Sequence, residues 1–256
     1  MRNGQMRKAR HNPCHSTMVP RIVIGILATW TLVVTGVILA VTWPNPKSRA
    51  VLLMAWGLIL IWIGAGGFVM WRWQAVWCLW IRAVRMPWMA KFVLGCVVLA
   101  LAEEAVTTLM TNAAPLFGVA KGAAYITASA NYLDVVLFHS VVVFVPLFIG
   151  WSFLLRWWRF SPFAVFILFG ITGTLCETIS FGLQNLGNFP FWILVYGLMV
   201  WLPARAVPEE RSAREPRWWC YPLAIVFPFG FLPLLLVVAP WLWLTAKHPP
   251  IHFPPL

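Results

Sequence analysis

The chain has 256 residues, of which 61% are hydrophobic and 10% are charged. Ordinary soluble domains carry about 25% charged and about 45–50% apolar residues. This composition excludes a water-soluble fold, because the chain has too few charged side chains to cover such a core. The net charge of +12 falls in short basic clusters between apolar runs, which indicates membrane topology rather than nucleic-acid binding. We therefore expect the lipid bilayer as a partner and expect no nucleic acid.

Apolar runs of about 20 residues, the length that crosses about 30 Å of hydrocarbon, predict the transmembrane helices in chain order. The runs are 22–43, 51–71, 92–112, 133–155, 163–183, 189–203 and 218–244. We therefore expect an all-α, polytopic integral membrane helix bundle with about seven transmembrane helices. The last run contains Pro222, Pro228, Pro233 and Pro240, which predicts a kinked or broken helix.

Charges between the runs predict the orientation. Of the 19 Lys and Arg residues, only Lys47, Arg49, Lys121 and Lys247 fall on the side opposite the N-terminus. By the positive-inside rule this favours a cytoplasmic N-terminus and an outer C-terminus. We expect an integral protein of a bacterial or archaeal cytoplasmic membrane.

The remaining segments have distinct compositions. Residues 1–21 form a basic cytoplasmic tail, and residues 22–244 form the transmembrane domain. Within that domain, residues 72–91 alternate Trp with Arg, which is typical of an amphipathic interfacial helix, and residues 204–217 form a charged cytoplasmic loop. Residues 245–256 form a Pro-rich outer tail. Residues 113–131 are weakly apolar, and both an outer loop and a re-entrant segment stay open for them.

A few ionisable residues lie within or at the ends of the apolar runs. They are Glu103, Glu104, Asp134, His139 and Glu177. An ionisable group in hydrocarbon costs at least about 2.5–3.5 kcal/mol, so such groups are expected to face the bundle interior and to be functional. With the N-terminus inside, all of them lie in the outer half of the membrane.

Helical spacing predicts which polar residues share a face. In the third run the i+4 neighbours of the Glu pair are Thr107, Thr108, Thr111 and Asn112. In the fifth run Gly170, Gly173, Glu177, Ser180 and Gln184 recur at i+3 or i+4. The fourth run presents His139 on one face with Tyr132. We predict that these faces converge on one polar cavity beneath residues 113–131.

The chemistry of this set follows from its environment. Adjacent carboxyls in a low-dielectric setting resist double ionisation, so Glu103 and Glu104 are expected to share a proton and to act as a general base. His139 is a candidate to orient water or to stabilise an oxyanion. Glu104, His139 and Glu177 are also candidate ligands of a divalent metal ion. The alternative is that all of them serve as hydrogen-bonding glue between helices.

A Glu-Glu pair in one run, a histidine in the next and a polar residue in the third resemble the CAAX-protease-like (Abi) family of intramembrane glutamate proteases. The family motifs are EExxxR, FxxxH and HxxxN or HxxxD. The separations of 36 residues from Glu103 to His139 and 38 from His139 to Glu177 are similar. The departures are Thr108 at the Arg position, Val135 at the Phe position, and Glu177 with Phe181 in the third motif.

This resemblance covers about 85 residues. It implies that Glu103 or Glu104 activates water and that His139 helps to stabilise the oxyanion. Three functions therefore stay open. The chain is a membrane-embedded hydrolase that acts on a membrane peptide or lipidic substrate through Glu103, Glu104, His139 and Glu177, a proton- or ion-coupled transporter that uses the same carboxyls, or a noncatalytic subunit of a membrane complex.

Overall fold

The computed structural model describes residues 18–244 and Phe253. These residues form an all-α helix bundle without a β-strand, which confirms the predicted fold class. Residues 1–17 of the basic tail, and all of the Pro-rich tail except Phe253, lie outside the described residues.

Six helices of the described chain are long and apolar enough to cross a membrane, and the number rises to seven when one bent helix pair is counted as a single span. In chain order the helices are α1 (Met18–Thr42), α2 (Pro46–Arg72), α3 (Gln74–Ala83), α4 (Trp88–Asn112), α5 (Tyr132–His139), α6 (Val141–Trp157), α7 (Pro162–Phe181), α8 (Phe189–Ala206), α9 (Cys220–Val238) and α10 (Trp241–Leu244). The bent pair is α5 with α6. The predicted span count therefore agrees with the upper figure.

Caps and turns set several helix ends that hydropathy alone misplaced. Asn45 accepts hydrogen bonds from the amides of Lys47 and Ser48, and a proline follows it at the first helical position. This N-cap begins α2 five residues before the predicted run. At the other extreme, Gly182 adopts a φ of 103° directly after α7, which ends that helix before the predicted residue 183.

The 72–91 segment and the seventh apolar run are both interrupted. Only part of the amphipathic segment predicted over 72–91 forms a separate helix, α3. Arg72 is the last residue of α2, and residues 88–91 are the first turn of α4, which begins after Pro87 with its extended backbone angles. The seventh run is broken as its prolines predict: it contains a 3-10 helix over Phe227–Leu234.

The central element is α8, which packs against α1, α3, α4 and α7. Two-thirds of it is buried, against one-sixth of α1. Its closest neighbour is α7, because Gly170 and Gly173 remove the side chains that would otherwise separate the two helices. A Cβ atom at Gly170 would lie 2.7 Å from the backbone oxygen of Ile193. The indole nitrogen of Trp62 in α2 also donates to the Val195 oxygen at 3.0 Å.

Backbone contacts show which helix ends share a side of the bundle. The end of α6 meets the middle of the 207–219 segment, because the Arg159 amide donates to the Arg214 oxygen and the Arg214 amide donates to the Trp157 oxygen. Arg82 at the end of α3 donates to the Ala206 oxygen at the end of α8. We call this side the basic end. Which side of the membrane it faces stays a prediction.

Candidate functional site

Three glutamates of two helices form the candidate site, which we call the carboxyl cluster: Glu103, Glu104 and Glu177. Glu103 and Glu104 are buried in α4, with 4% and 8% of their surface exposed. Glu177 is half-buried on α7. Glu103 interacts electrostatically with both other carboxyls, and Glu177 interacts with Glu104. The structure thus brings together three of the four predicted catalytic residues.

Neutral hydroxyl groups hold the Glu104 carboxyl from several sides. Thr107 of the same helix donates to Oε2 at 2.8 Å, and Ser140 donates to Oε1. Thr127, in the loop between α4 and α5, also lies close enough to interact with this carboxyl. The carboxyl is therefore fixed by its own helix, by the loop above it and by the next span.

Ser140 reaches Glu104 because it lies at a break in its span. It separates α5 from α6, which are inclined to each other by 47°, and its φ and ψ of −125° and −84° are not helical. The preceding turn, Val135–His139, is a π-helix, a feature that is frequent at functional sites. The hydroxyl that binds Glu104 therefore belongs to an irregular backbone segment.

Glu177 is held by the neighbouring central helix. The phenol of Tyr196 on α8 donates to Glu177 Oε1, and Tyr196 is itself buried, with 6% of its surface exposed. Gly173, one turn before Glu177, lies directly against the Tyr196 side chain. The close contact between α7 and α8 thus sets the position of the phenol that binds this carboxyl.

His139, the fourth predicted catalytic residue, lies beside Ser140 at the break. Its Nε2 lies 3.7 Å from Oδ2 of Asp134, and both side chains are mostly buried. The structure therefore pairs this imidazole with Asp134, one turn earlier in α5. The oxyanion role of His139 stays a prediction.

Glu104, His139 and Glu177 are the candidate ligands of a divalent metal ion. Within the part of the chain that the structure describes, no three His, Cys, Asp or Glu side chains are placed to hold a metal ion. Glu104, His139 and Glu177 are therefore not arranged as a metal-binding group in this structure, and metal binding by them stays a prediction. These side chains instead contact hydroxyls and the Asp134 carboxylate.

The segment 113–131 has mostly irregular backbone, and its place inside or outside the membrane stays a prediction. It contains one 3-10 turn, Ala114–Phe117, and no α-helix. It is tied to the end of α4 by the Ile126 amide, which donates to Thr111 Oγ1 at 3.2 Å, and by Asn112, which donates to the Ala130 oxygen at 2.8 Å. These bonds hold the loop against the end of the helix that carries Glu103 and Glu104, and a polar cavity beneath the loop stays a prediction.

Some residues of the predicted faces fall elsewhere, and others were missed. Ser180 of the α7 face is exposed, and the Gln184 side chain lies outside the described part of the structure. Tyr196 and Thr127 were not predicted as site residues. Tyr196 lies in a helix rich in aromatic residues, so the sequence alone gives no sign of its role. Only the packing of α7 on α8 shows that it lies opposite the glycines of α7.

Ion pairs within the described part of the chain do not involve the carboxyl cluster. Among the described residues the ion pair within 4 Å is that of His139 with Asp134, and none joins a Lys or Arg to Glu103, Glu104 or Glu177.

No protein-family model, curated protein or solved structure matches the chain. The resemblance to the CAAX-protease-like family therefore stays a prediction.

Proposed function

We propose that this chain is a proton- or cation-coupled membrane transporter in which Glu103, Glu104 and Glu177 bind and release the coupling ion. The observation that carries the proposal is the meeting of three interacting carboxyls inside a helix bundle, with no Lys or Arg within 4 Å among the described residues. Ionisable groups in such positions commonly mark proton relays and ion pathways.

The balance of charge gives the physical reason. Like charges that share a low-dielectric site cannot all be ionised. Without a basic side chain, the compensating charge must come from bound protons or from a bound cation. Such a site changes its charge when the ion leaves, which is the property that a coupling site needs.

The surroundings of the cluster favour an ion-exchanging role over a packing role. Helix association in membranes is usually served by small residues and by neutral polar side chains. Neighbouring carboxyls that repel each other are a poor means of joining helices, since a glutamine would donate and accept without that repulsion. The cluster is therefore better explained by what it binds.

The break at Ser140 supplies a second supporting feature. Irregular backbone at membrane depth is tolerated where protein or a water-filled cavity surrounds it, and discontinuous helices commonly form ion sites in transporters. The Ser140 hydroxyl donates to Glu104, so a change in the ion bound at Glu104 acts directly on the joint between α5 and α6. Ion binding and the bend of this span are coupled in the proposal.

Infrared difference spectroscopy tests ion exchange directly. Purified protein is compared in mildly acidic and mildly alkaline buffer, and the carbonyl band of protonated carboxyls is followed. We expect a titrating band that is reduced in Glu104→Gln and in Glu177→Gln. The matched control is Glu210→Gln, which removes an exposed carboxyl from the loop after α8 and should leave the buried-carboxyl band unchanged.

Flux measurements complete the test. Sealed vesicles that contain the protein and an internal pH dye should take up protons under an imposed potential faster than empty vesicles do. Vesicles with Glu104→Gln or Glu177→Gln should show only the proton flux of empty vesicles. A folded protein without a titrating band and without flux, in which the variants lower only the thermal stability, would refute the proposal in favour of a packing role.

A membrane-embedded hydrolase is the second candidate. It is favoured by the presence of several interacting carboxyls at one place, because carboxyls that share a proton can activate water. Cleavage of a membrane peptide by the purified chain, lost in Glu104→Gln but not in Glu210→Gln, would support this candidate over the transporter.

A further inference from the structure

The helix α3 lies on the surface of the basic end with an apolar face that no other part of the described chain covers. None of its residues is buried. Leu79 and Trp80 are about two-thirds exposed, and Val76 and Trp77 are also exposed. Trp77 and Trp80 form an edge-to-face pair at 5.7 Å. An exposed aromatic and aliphatic face at the end of a membrane span is typical of a helix that lies among lipids.

Next to this face, two arginines are fixed at the carboxyl end of α8. Arg82 of α3 donates from Nε to the Ala206 oxygen at 3.2 Å and from Nη2 to the Arg205 oxygen at 3.1 Å. Arg205 lies over the ring of Trp201, with its Cζ 5.5 Å from the ring centroid. Both arginines interact electrostatically with Cys78 of α3. The two cations are thus held side by side by the packing of α3 on α8.

No carboxylate of the described chain balances these cations. Within residues 18–244, no Asp or Glu carboxylate lies within 4 Å of the guanidinium group of Arg82 or Arg205. Of the acidic residues in the loop after α8, Glu209 and Glu215 act on Arg211, a different arginine, whose pKa is lowered chiefly by burial. Within residues 18–244 these two exposed arginines therefore have no carboxylate counter-ion.

We infer that the headgroup of an anionic phospholipid binds between Arg82 and Arg205, with its acyl chains along the exposed face of α3. Guanidinium groups bind phosphate oxygens well because their donors match that geometry. A lipid fits better than a free anion because the same site offers Trp80 and Leu79 to the chains. Basic sites between helices near the membrane surface are known to bind lipid headgroups.

The test uses the full-length protein in a neutral detergent and compares three additives: phosphatidylglycerol, phosphatidylcholine and inorganic phosphate. Bound lipid is counted by native mass spectrometry over a range of lipid concentrations. We expect phosphatidylglycerol to bind and Arg205→Gln to weaken it about fivefold, which corresponds to about 1 kcal/mol for one basic residue near a membrane surface. Arg205→Lys, which keeps the charge, should retain more binding than Arg205→Gln.

The matched control is Arg156→Gln, which removes one exposed arginine from the end of α6 at the same end of the bundle. It should bind phosphatidylglycerol as the unaltered chain does. Equal weakening in Arg156→Gln would overturn the proposal, since it would show a general attraction by net charge. Equal binding of phosphatidylcholine would also overturn it, and so would displacement of phosphatidylglycerol by inorganic phosphate at comparable concentration.

Cys78 gives an independent readout, because it lies beside both arginines. The rate of its alkylation, resolved from other cysteines by peptide mass spectrometry, should fall when phosphatidylglycerol is added to the unaltered chain. The same addition should leave the rate nearly unchanged in Arg205→Gln. An equal slowing in both proteins would contradict a lipid held by Arg205.

Discussion

The substitution Gly173→Ala tests whether the contact between α7 and α8 holds the carboxyl cluster in place. A Cβ atom at this position would lie 2.8 Å from Cβ of Tyr196 and closer still to the ring. Normal contacts between carbon atoms are about 3.5–4.0 Å. Because Tyr196 Cβ is attached directly to the backbone of α8, a rotation of the ring cannot relieve the overlap, and the two helices must separate.

The expected cost has two parts. Overpacking in a well-packed interior costs about 1–3 kcal/mol. Displacement of Tyr196 also removes its hydrogen bond to Glu177, and an ordinary hydrogen bond contributes about 0.5–1.5 kcal/mol. We therefore expect Gly173→Ala to lower the free energy of unfolding by about 3 kcal/mol. The measurement is reversible unfolding in mixed micelles, followed by circular dichroism.

Two comparisons separate the parts of this cost. A Cβ atom added at Gly36 of α1 would meet no atom within 4 Å, so Gly36→Ala should change the stability by less than about 0.5 kcal/mol. In a Tyr196→Phe background the hydrogen bond is already absent, and Gly173→Ala should then cost less than it does in the unaltered chain. If Gly173→Ala proves as mild as Gly36→Ala, the close packing of α7 on α8 is refuted. If its cost is the same in both backgrounds, Gly173 does not act through Glu177.

Two further predictions follow from single contacts. Trp62→Phe should lower the free energy of unfolding by about 1–2 kcal/mol, because it leaves the buried Val195 oxygen without the donor that joins α2 to α8; unfolding in micelles measures this, and an unchanged stability would contradict that role for the indole. Burial raises the pKa of the Cys78 thiol, so its thiolate fraction at neutral pH is low, and alkylation should be slower than for free cysteine and should accelerate as the pH rises; a rate at or above that of free cysteine would contradict the effect of burial.

The length of the apolar runs was enough to predict the class of fold and the approximate spans. That is because the thickness of the hydrocarbon fixes the length of a spanning helix, whatever its partners are. The prolines of the last run likewise sufficed to predict its break, since proline removes a backbone donor wherever the helix packs. These predictions depend on local chemistry alone.

The bend between α5 and α6 had no such local signal. Proline lies nearby in this span at Pro146, yet Pro146 sits inside α6, and the chain departs from helix at Ser140 instead. A serine has only a modest effect on an isolated helix, so its irregular conformation depends on tertiary contacts. The Glu104 carboxyl is one such contact, and sequence spacing does not show that the two side chains meet.

The site residues divide in the same way. Glu103, Glu104 and Glu177 could be identified as candidates from the sequence, because a charged residue in hydrocarbon is unfavourable in any fold. Tyr196 was not visible, because a phenol in a membrane helix is ordinary and its importance comes from the partner that it binds.

The same division explains how the cluster is assembled. Two hydrogen bonds join the cluster to other spans, and each depends on an irregular feature of the bundle. Ser140 reaches Glu104 from a break in a span, and Tyr196 reaches Glu177 across the contact that Gly173 permits. Because the two carboxyls interact, a change in the charge of one alters the energy of both attachments. In the proposed transporter, an ion that binds or leaves at this site would therefore act on α5, α6 and α8 together.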